Sequence, residues 1–563
     1  MNPFSILRQE NKFSILHSPF SILRKENKFS ILNSPFSILR KEKKFSILNS
    51  PFSIPQLFLH FVFCILLSFT LFSCSTSTKP ETGSLSGKVI LVNDTGDPAF
   101  DPVDYSGITV ALYNLAYLDT TIVRINNQYP QIGVQINQET EFDHRYQQPI
   151  AKTITNTDGS FKLTEIISGE YNLVYFKSGW GIRYVYHIVI NKGENIISDI
   201  YEQITDDHKI SNMIEGSKAQ KTELVLYPMK YLSSTIQNAY VFQEDHCYLI
   251  IQDTSFLSAV VFQYSAFVFV NPGCRIDFWD SVSMPESGKR WWITSSEGIF
   301  KSELNIPGDD DNILKIRIAN YDGNIIRNGK ISHLMDGLEI NSDDTIITKM
   351  VFTNGFTAIV LNGNSLNINQ TLIKSFKSRT NVFYGNSNIS QNIFYNNYDN
   401  LIIDSSDFNV NNNYFISNWV GIRPIYGNTI IRNNCFWNND YGISMVASNP
   451  LIEYNEFFGS KRYCIQTQPN YVQASLDYCN PIINHNNLYA IDQIAISIKP
   501  DAHDGYFASG NIGVINDIDA TYNYWRAIDI DNVLYDELDS DEVHYKILFN
   551  PRINAKILSA GIQ

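Results

Sequence analysis

The sequence predicts an all-β chain: a right-handed parallel β-helix of about 21 residues per coil, preceded by a small antiparallel β-sandwich. Three observations predict it. Apolar residues recur every 21 positions in three separate columns, asparagines recur in a fourth, and the stretch ahead of the repeat alternates apolar and polar residues around glycine-containing turns.

The first column reads Ile326, Ile347, Ile368, Ile389, Val410, Ile431 and Ile452; five residues on, the second reads Ile331, Phe352, Ile373, Phe394, Phe415, Phe436 and Phe457. A third follows after seven more residues: Leu338, Ile359, Thr380, Leu401, Ile422, Ile443 and Cys464. A fixed period in this range marks a solenoid, whose copies bury apolar surface by stacking. Short Ile-, Val- and Phe-rich stretches separated by Asn, Gly and Ser read as strands and turns, and no window carries a 3.6-residue stripe. At roughly 3.3 Å per residue one copy spans about 70 Å, one turn of a three-sided coil, with neighbouring coils about 4.8 Å apart. Parallel crossovers are right-handed as a rule, which sets the expected hand.

The odd offset between the first two columns requires a bend, because a straight strand would turn them to opposite faces. Asn392, Asn413, Asn434 and Asn455, preceded by Met350 and Thr371, stand three residues after the first column, where stacked amides can bond to one another and to backbone inside the bend. Gly421 and Gly442 precede the third strand, where close backbone approach or positive φ is expected, although Gly337, Ala358, Arg379, Asn400 and Tyr463 fill the same place elsewhere.

Strings such as NNYFISNWVGI and NNCFWNNDYGI resemble the right-handed β-helix repeats of the pectate-lyase-like superfamily, especially its NosD-type group. The resemblance covers roughly 227–551, with CYLIIQDTSF and VFVNPGCRIDF resembling opening coils and ATYNYWRAIDI and KILFNP a closing segment. Such motifs are specific for fold and weakly specific for activity.

The first 56 residues are near-verbatim copies of SPFSILRKENKFSILN, read as disordered or absent from the mature protein. Residues 57–74 read as a signal peptide, with an apolar run too short for a comfortable transmembrane helix and ending in Leu71-Phe72-Ser73-Cys74. That ending resembles a bacterial lipobox, which implies lipidation of Cys74, a membrane-anchored place at the cell surface or outer membrane, and a tether over 75–82. Beyond residue 73 the chain holds 34 basic and 54 acidic residues, net −20, a surface that repels nucleic acid and suits neutral glycans or cations. Five cysteines follow Cys74, and Cys464 with Cys479, flanking an interruption of the repeat, form the candidate disulfide.

Residues 83–199 read as the sandwich, with turns at Asp158-Gly159 and Ser168-Gly169, a polar excursion over 119–150, and a linker over 200–226 before the β-helix of 227–563. The pattern TxxDGxF followed by IxxGxYxL resembles the carboxypeptidase-regulatory-like domain, which brings no catalytic residue with it.

The outward columns lack a complete catalytic set. Asp343-Asp344 has no Gly-His-Gly or Arg-x-Lys partner motif, and Arg423 lacks the second arginine a lyase would show. Lys499, Asp501, His503 and Asp504 offer a base or metal ligand on one loop, and Asp309, Asp310 and Asp311 a weak oxygen site for calcium, the cofactor lyase chemistry would call for. The column one residue beyond the second apolar position, with Tyr395, Trp437 and Phe458, should face outward and could stack on sugar rings. The expectation is therefore a surface lipoprotein binding extended polysaccharide along that face, the alternatives being a polysaccharide lyase or glycosidase and a structural or adhesive component.

Overall fold

The computed structural model describes residues 80–197 apart from 94–95, strands between 224 and 318, and residues 324–563 apart from 379–380, 384, 405–406, 469–478, 490–493, 499–515, 527–529 and 537–544. The repeats and signal segment of 1–74 lie outside these residues.

Three parallel sheets form the β-helix, of 10, 13 and 12 strands. Sheet I carries the first column, from Ile325–Arg327 to Ile547–Leu548; sheet II carries the second, from Lys230–Leu232 to Tyr524–Trp525; sheet III carries the third, from Ser255–Leu257 to Leu534–Tyr535. The first two columns are in register throughout, each residue pairing with the one 21 further on. In the third, Asn381 and Ile465 take the places expected for Thr380 and Cys464, because in those coils the segment between sheets II and III is one residue longer. Inside, Phe394, Phe415, Phe436 and Phe457 stack with centroids 4.9, 4.9 and 4.6 Å apart, all four fully buried.

Each edge of sheet II is a sharp corner made by single left-handed residues. Before it stand Lys349, Gln370, Gln391, Asn412, Asn433 and Tyr454, and after it His333, Asn354, Ser375, Asn396, Ser417 and Asn438, all with φ between 49° and 62°. Polar residues with short local hydrogen-bonding options tolerate that region best, which accounts for much of the Asn, Gln and Ser at these corners. Just inside the first corner runs the expected ladder. Asn392, Asn413 and Asn434 each donate through Nδ2 to the Oδ1 of the next asparagine at 3.0–3.1 Å, and that Oδ1 also accepts the preceding backbone N–H. The ladder continues through Asn455 to Asn486 and Asn523, past the interruption of the period. A second ladder, Asn397, Asn418 and Asn439, lines the corner between sheets II and III and was not singled out from the sequence.

Gly421 and Gly442 are needed for close approach: a Cβ would come within 2.5 Å of the Gly442 and Cys464 carbonyl oxygens respectively. At Gly337 the requirement is instead a φ of +84°. Cys464 and Cys479 are separate buried thiols, so the expected disulfide is absent. Cys464 occupies the glycine column beside Ile465, and Cys479 directs its Sγ at the Met445 carbonyl, 3.8 Å away.

In the sandwich, β1 (Thr82–Leu91), β2 (Thr109–Asn114), β3 (Ala151–Ile154), β4 (Ser160–Ile167), β5 (Gly169–Lys177), β6 (Gly181–Ile190), β7 (Gly193–Ile196) and β8 (Leu224–Leu226) form two sheets. One has the order β3-β2-β5-β6 and is antiparallel; in the other β1 pairs antiparallel with β4 and parallel with β7 and β8. The turns at Gly159 and Gly169 are not hairpins but carry the chain from one sheet to the other. β8 falls within the expected linker, where Leu224 and Leu226 join the sandwich core with Leu85, Val110, Phe161 and Leu173. β5 and β6 are buried on both faces, since their outer side packs with Phe142 and with Trp292 of sheet II.

Candidate functional site on the outer face of sheet II

Tyr395, Ile416, Trp437 and Phe458 form one register column on the outer face of sheet II, continued by Tyr489. The middle of that column is covered. Between β2 and β3 the chain forms α1 (Thr120–Gln128), capped by the Asp119 carboxylate accepting from Thr121 N at 2.8 Å, and α2 (Gln138–Glu141). The composition of this excursion is polar, but Ile122, Ile125, Ile132 and Val134 bury themselves against Val351, Leu372, Ile393, Tyr414, Ile416 and Cys435. Ile122 and Ile125 lie one helical turn apart and so share a face. Arg124 sits over the Trp437 ring at 4.5 Å, and Tyr129 packs on Tyr414. The C-terminal segment closes the other side: Ile562 joins the same cluster, Gln563 N donates to Asn412 Oδ1 at 2.9 Å, and Lys556 pairs with Glu456 at 2.7 Å.

Two parts of the column stay open. At one end Phe458 is 43% exposed, edge-on to Tyr489, whose ring is flanked by Arg526 and Lys556. At the other, Tyr395 lines a cleft of about 310 Å³ between sheet II and the excursion, walled by Lys330, Thr353, Asn354, Lys374, Ser375 and Asn396 on one side and Asp119, Thr140 and Glu141 on the other. Glu141 Oε2 forms an ion pair with Lys374 Nζ. Lys330 is 8% exposed, with its ammonium 4.6 Å from the centre of the Trp292 ring. Burial pulls its pKa down to about 8, against the attraction of Asp143 and Glu141. Burial likewise raises the Tyr395 hydroxyl, helped by the Asp119 carboxylate beside it.

Beside the cleft, Tyr146 stacks on His333 with its hydroxyl 2.5 Å from Nε2, and Asp143 takes a bidentate grip from Arg145. Burial holds His333 and His144 at about 4, so both stay neutral in the folded chain while their unfolded counterparts charge near 6.5. The unfolded state therefore binds more protons between those values, and the stability these groups confer is lost as pH falls from about 6.5 to about 4. The urea midpoint should drop over that window, and His333→Asn, which keeps a residue tolerant of its φ of +62°, should flatten the drop. An equal drop in the variant would remove His333 from this account.

The remaining sequence candidates do not converge here. Arg423 lies on sheet III, paired with Asp399 at 3.2 Å. Asp343 accepts the Asn364 N–H at 2.7 Å and Asp344 is a left-handed turn residue. Lys499, Asp501, His503, Asp504, Asp309, Asp310, Asp311 and Cys74 lie outside the described residues. Among the described residues no three His, Cys, Asp or Glu side chains gather closely enough to hold a metal ion. Of the cleft residues, Tyr395 is the one expected from the sequence as ligand-binding, with Thr353 and Lys374 in its outward column; Lys330, Glu141 and Asp119 were not singled out.

The fold and this face define a two-part β protein, a parallel β-helix with a β-sandwich whose excursion docks on one sheet. No protein-family model, curated protein or solved structure matches the chain.

Proposed function

We infer that this is a surface lipoprotein, anchored through Cys74, whose β-helix binds a neutral glycan at the open parts of the sheet II face. The observation that carries the reading is the exposed Phe458 at the end of a column that also holds Trp437 and Tyr395. Three coils separate Phe458 from Tyr395, about 14 Å at the usual strand spacing. Exposed aromatic surface beside cations is the kind of surface that stacks on sugar rings. An extended ligand contacts the two ends, because α1 and the C-terminal segment occupy the middle. The net charge of −20 beyond residue 73 favours a neutral glycan over an acidic one.

A structural role is the second reading, and a specific observation favours it. Tyr398 and Trp419 stack at 5.8 Å within 1° of parallel, and Tyr454, His485 and Tyr522 stack at 5.1 and 5.7 Å. Rings stacked along the coil axis turn their faces to one another and contribute to coil cohesion rather than to a sugar platform. A glycan array separates the readings: the wild type should bind, and Phe458→Ala should weaken binding about tenfold, the scale of one lost stacking contact. An empty array would leave the structural role, and release of unsaturated uronides from an acidic polysaccharide would instead indicate a lyase.

A further inference from the structure

We propose that the cleft between the excursion and sheet II is a binding site for a single neutral sugar ring, held by hydrogen bonds from its hydroxyls to Lys330, Thr353 and Glu141; this rests on the glycan reading above and assigns the ring that enters deepest. Two buried polar atoms in this cleft have no hydrogen-bond partner among the described residues. Thr353 Oγ1, in a residue 4% exposed, makes no hydrogen bond, and neither does Glu141 Oε1, although the other oxygen of that carboxylate is engaged by Lys374. The third group is the Lys330 ammonium, which lies over the face of Trp292 and lines the same space.

Buried donors and acceptors are almost always satisfied, so two unsatisfied ones lining one space beside an ammonium point to an absent occupant. They also describe it. Lys330 needs an acceptor, Glu141 Oε1 needs a donor, and Thr353 serves either, so the complement is a group that accepts and donates at once. A hydroxyl does this, and adjacent hydroxyls on a ring do it for all three. A carboxylate would satisfy Lys330 but face Glu141 Oε1 and the nearby Asp119 without a proton to offer, and a phosphate would set its negative charge against both carboxylates. The charges of Lys330, Lys374, Glu141 and Asp119 cancel, which again suits a neutral guest. The volume of about 310 Å³ lies at the small end of ligand pockets, suited to one ring rather than a chain. Tyr395 at the rim would lie against the ring or its glycosidic substituent, leading toward the open face.

Calorimetric titration of the full chain with glucose, galactose and mannose, and with glucuronate, galacturonate and inorganic phosphate, tests this. At least one neutral hexose should bind with one-to-one stoichiometry and no anion should bind more tightly. Thr353→Val should weaken that binding several-fold and Lys330→Met about tenfold or more, the loss expected for a charged donor. Wild-type affinity should fall as pH rises through about 8, where Lys330 gives up its proton, and the Lys330→Met affinity should not. Urea midpoints of both variants confirm that they fold. Failure of every hexose, tighter binding of an anion, or unchanged affinity in folded variants would overturn the site. If the hexoses fail while array binding persists and depends on Phe458, the cleft falls and the wider glycan reading stands. Hexose binding that depends on Lys330, with an empty array, leaves the cleft and removes the extended ligand.

Discussion

Replacing Asn434 by alanine should destabilise the chain by roughly 3–5 kcal/mol, the cost of stranding several buried hydrogen-bonding groups at once. Its Nδ2 donates to the Val410 carbonyl at 2.8 Å, the Arg432 carbonyl at 3.0 Å and Asn455 Oδ1 at 3.0 Å, and its Oδ1 accepts Asn413 N and Nδ2 at 3.0 and 3.1 Å. No water reaches this fully buried corner to replace the lost partners. Asn409, exposed on the neighbouring strand Phe408–Asn411, supplies the control: Asn409→Ala should stay within about 0.5 kcal/mol of wild type. Urea-unfolding midpoints measure both. A loss below about 1 kcal/mol at Asn434 would mean that the ladder decorates the coil rather than closing its corner.

The ladder was legible in the sequence because coil length is constant where it runs, so its members fall at a fixed interval. The same constancy exposed the first two apolar columns. Where the segment between sheets II and III lengthens by one residue the reading slipped, placing Thr380 and Cys464 where Asn381 and Ile465 pair. The left-handed corners were invisible for a different reason: Lys349, Gln391, Tyr454 and Ser417 all adopt that conformation, so backbone geometry leaves only a diffuse compositional trace. Of the cleft only the outward column holding Tyr395 was legible. The cleft walls come from residues 119–141 and 330–396, and only docking of the excursion through Ile122, Ile125, Ile132 and Val134 joins them. Within a polar stretch, four apolar residues on a short helix and loop give too weak a period to announce a buried face.

Lys330→Met should make the protein more stable, by about 1–3 kcal/mol near neutral pH. A pKa held down to about 8 by burial means that the folded chain carries the Lys330 charge at a cost the unfolded chain escapes. Methionine keeps the length of the side chain and its contact with Trp292 while removing the charge, and forfeits the cation–π attraction and the pull of Asp143 and Glu141, which together fall short of the cost of burial. The pH dependence has a definite sign. Between about 8 and the ordinary lysine value the unfolded chain holds the extra proton, so the Lys330 penalty fades as pH rises and returns as it falls. The advantage of the variant should therefore shrink between pH 7 and pH 10. A variant less stable than wild type at pH 7 would show that the ammonium is satisfied in the folded state, and would remove the reason to look for a guest in the cleft.

The site depends on the excursion lying against sheet II, and Cys435 reports on that contact directly. Its thiol belongs to the outer face, 5% exposed beneath the excursion and the C-terminal segment, and burial pushes it up to about 12. Cys464 and Cys479 face the interior and provide internal references. The decisive measurement is the rate of thiol labelling at each cysteine, followed peptide by peptide, in the folded wild type and in a variant combining Ile122→Asp with Ile125→Asp. The docked arrangement predicts that these three thiols stay unlabelled in the wild type and that, of the three, Cys435 becomes reactive in the variant. Rapid labelling of Cys435 in the folded wild type would contradict it, leaving the whole aromatic face open and the cleft without its second wall.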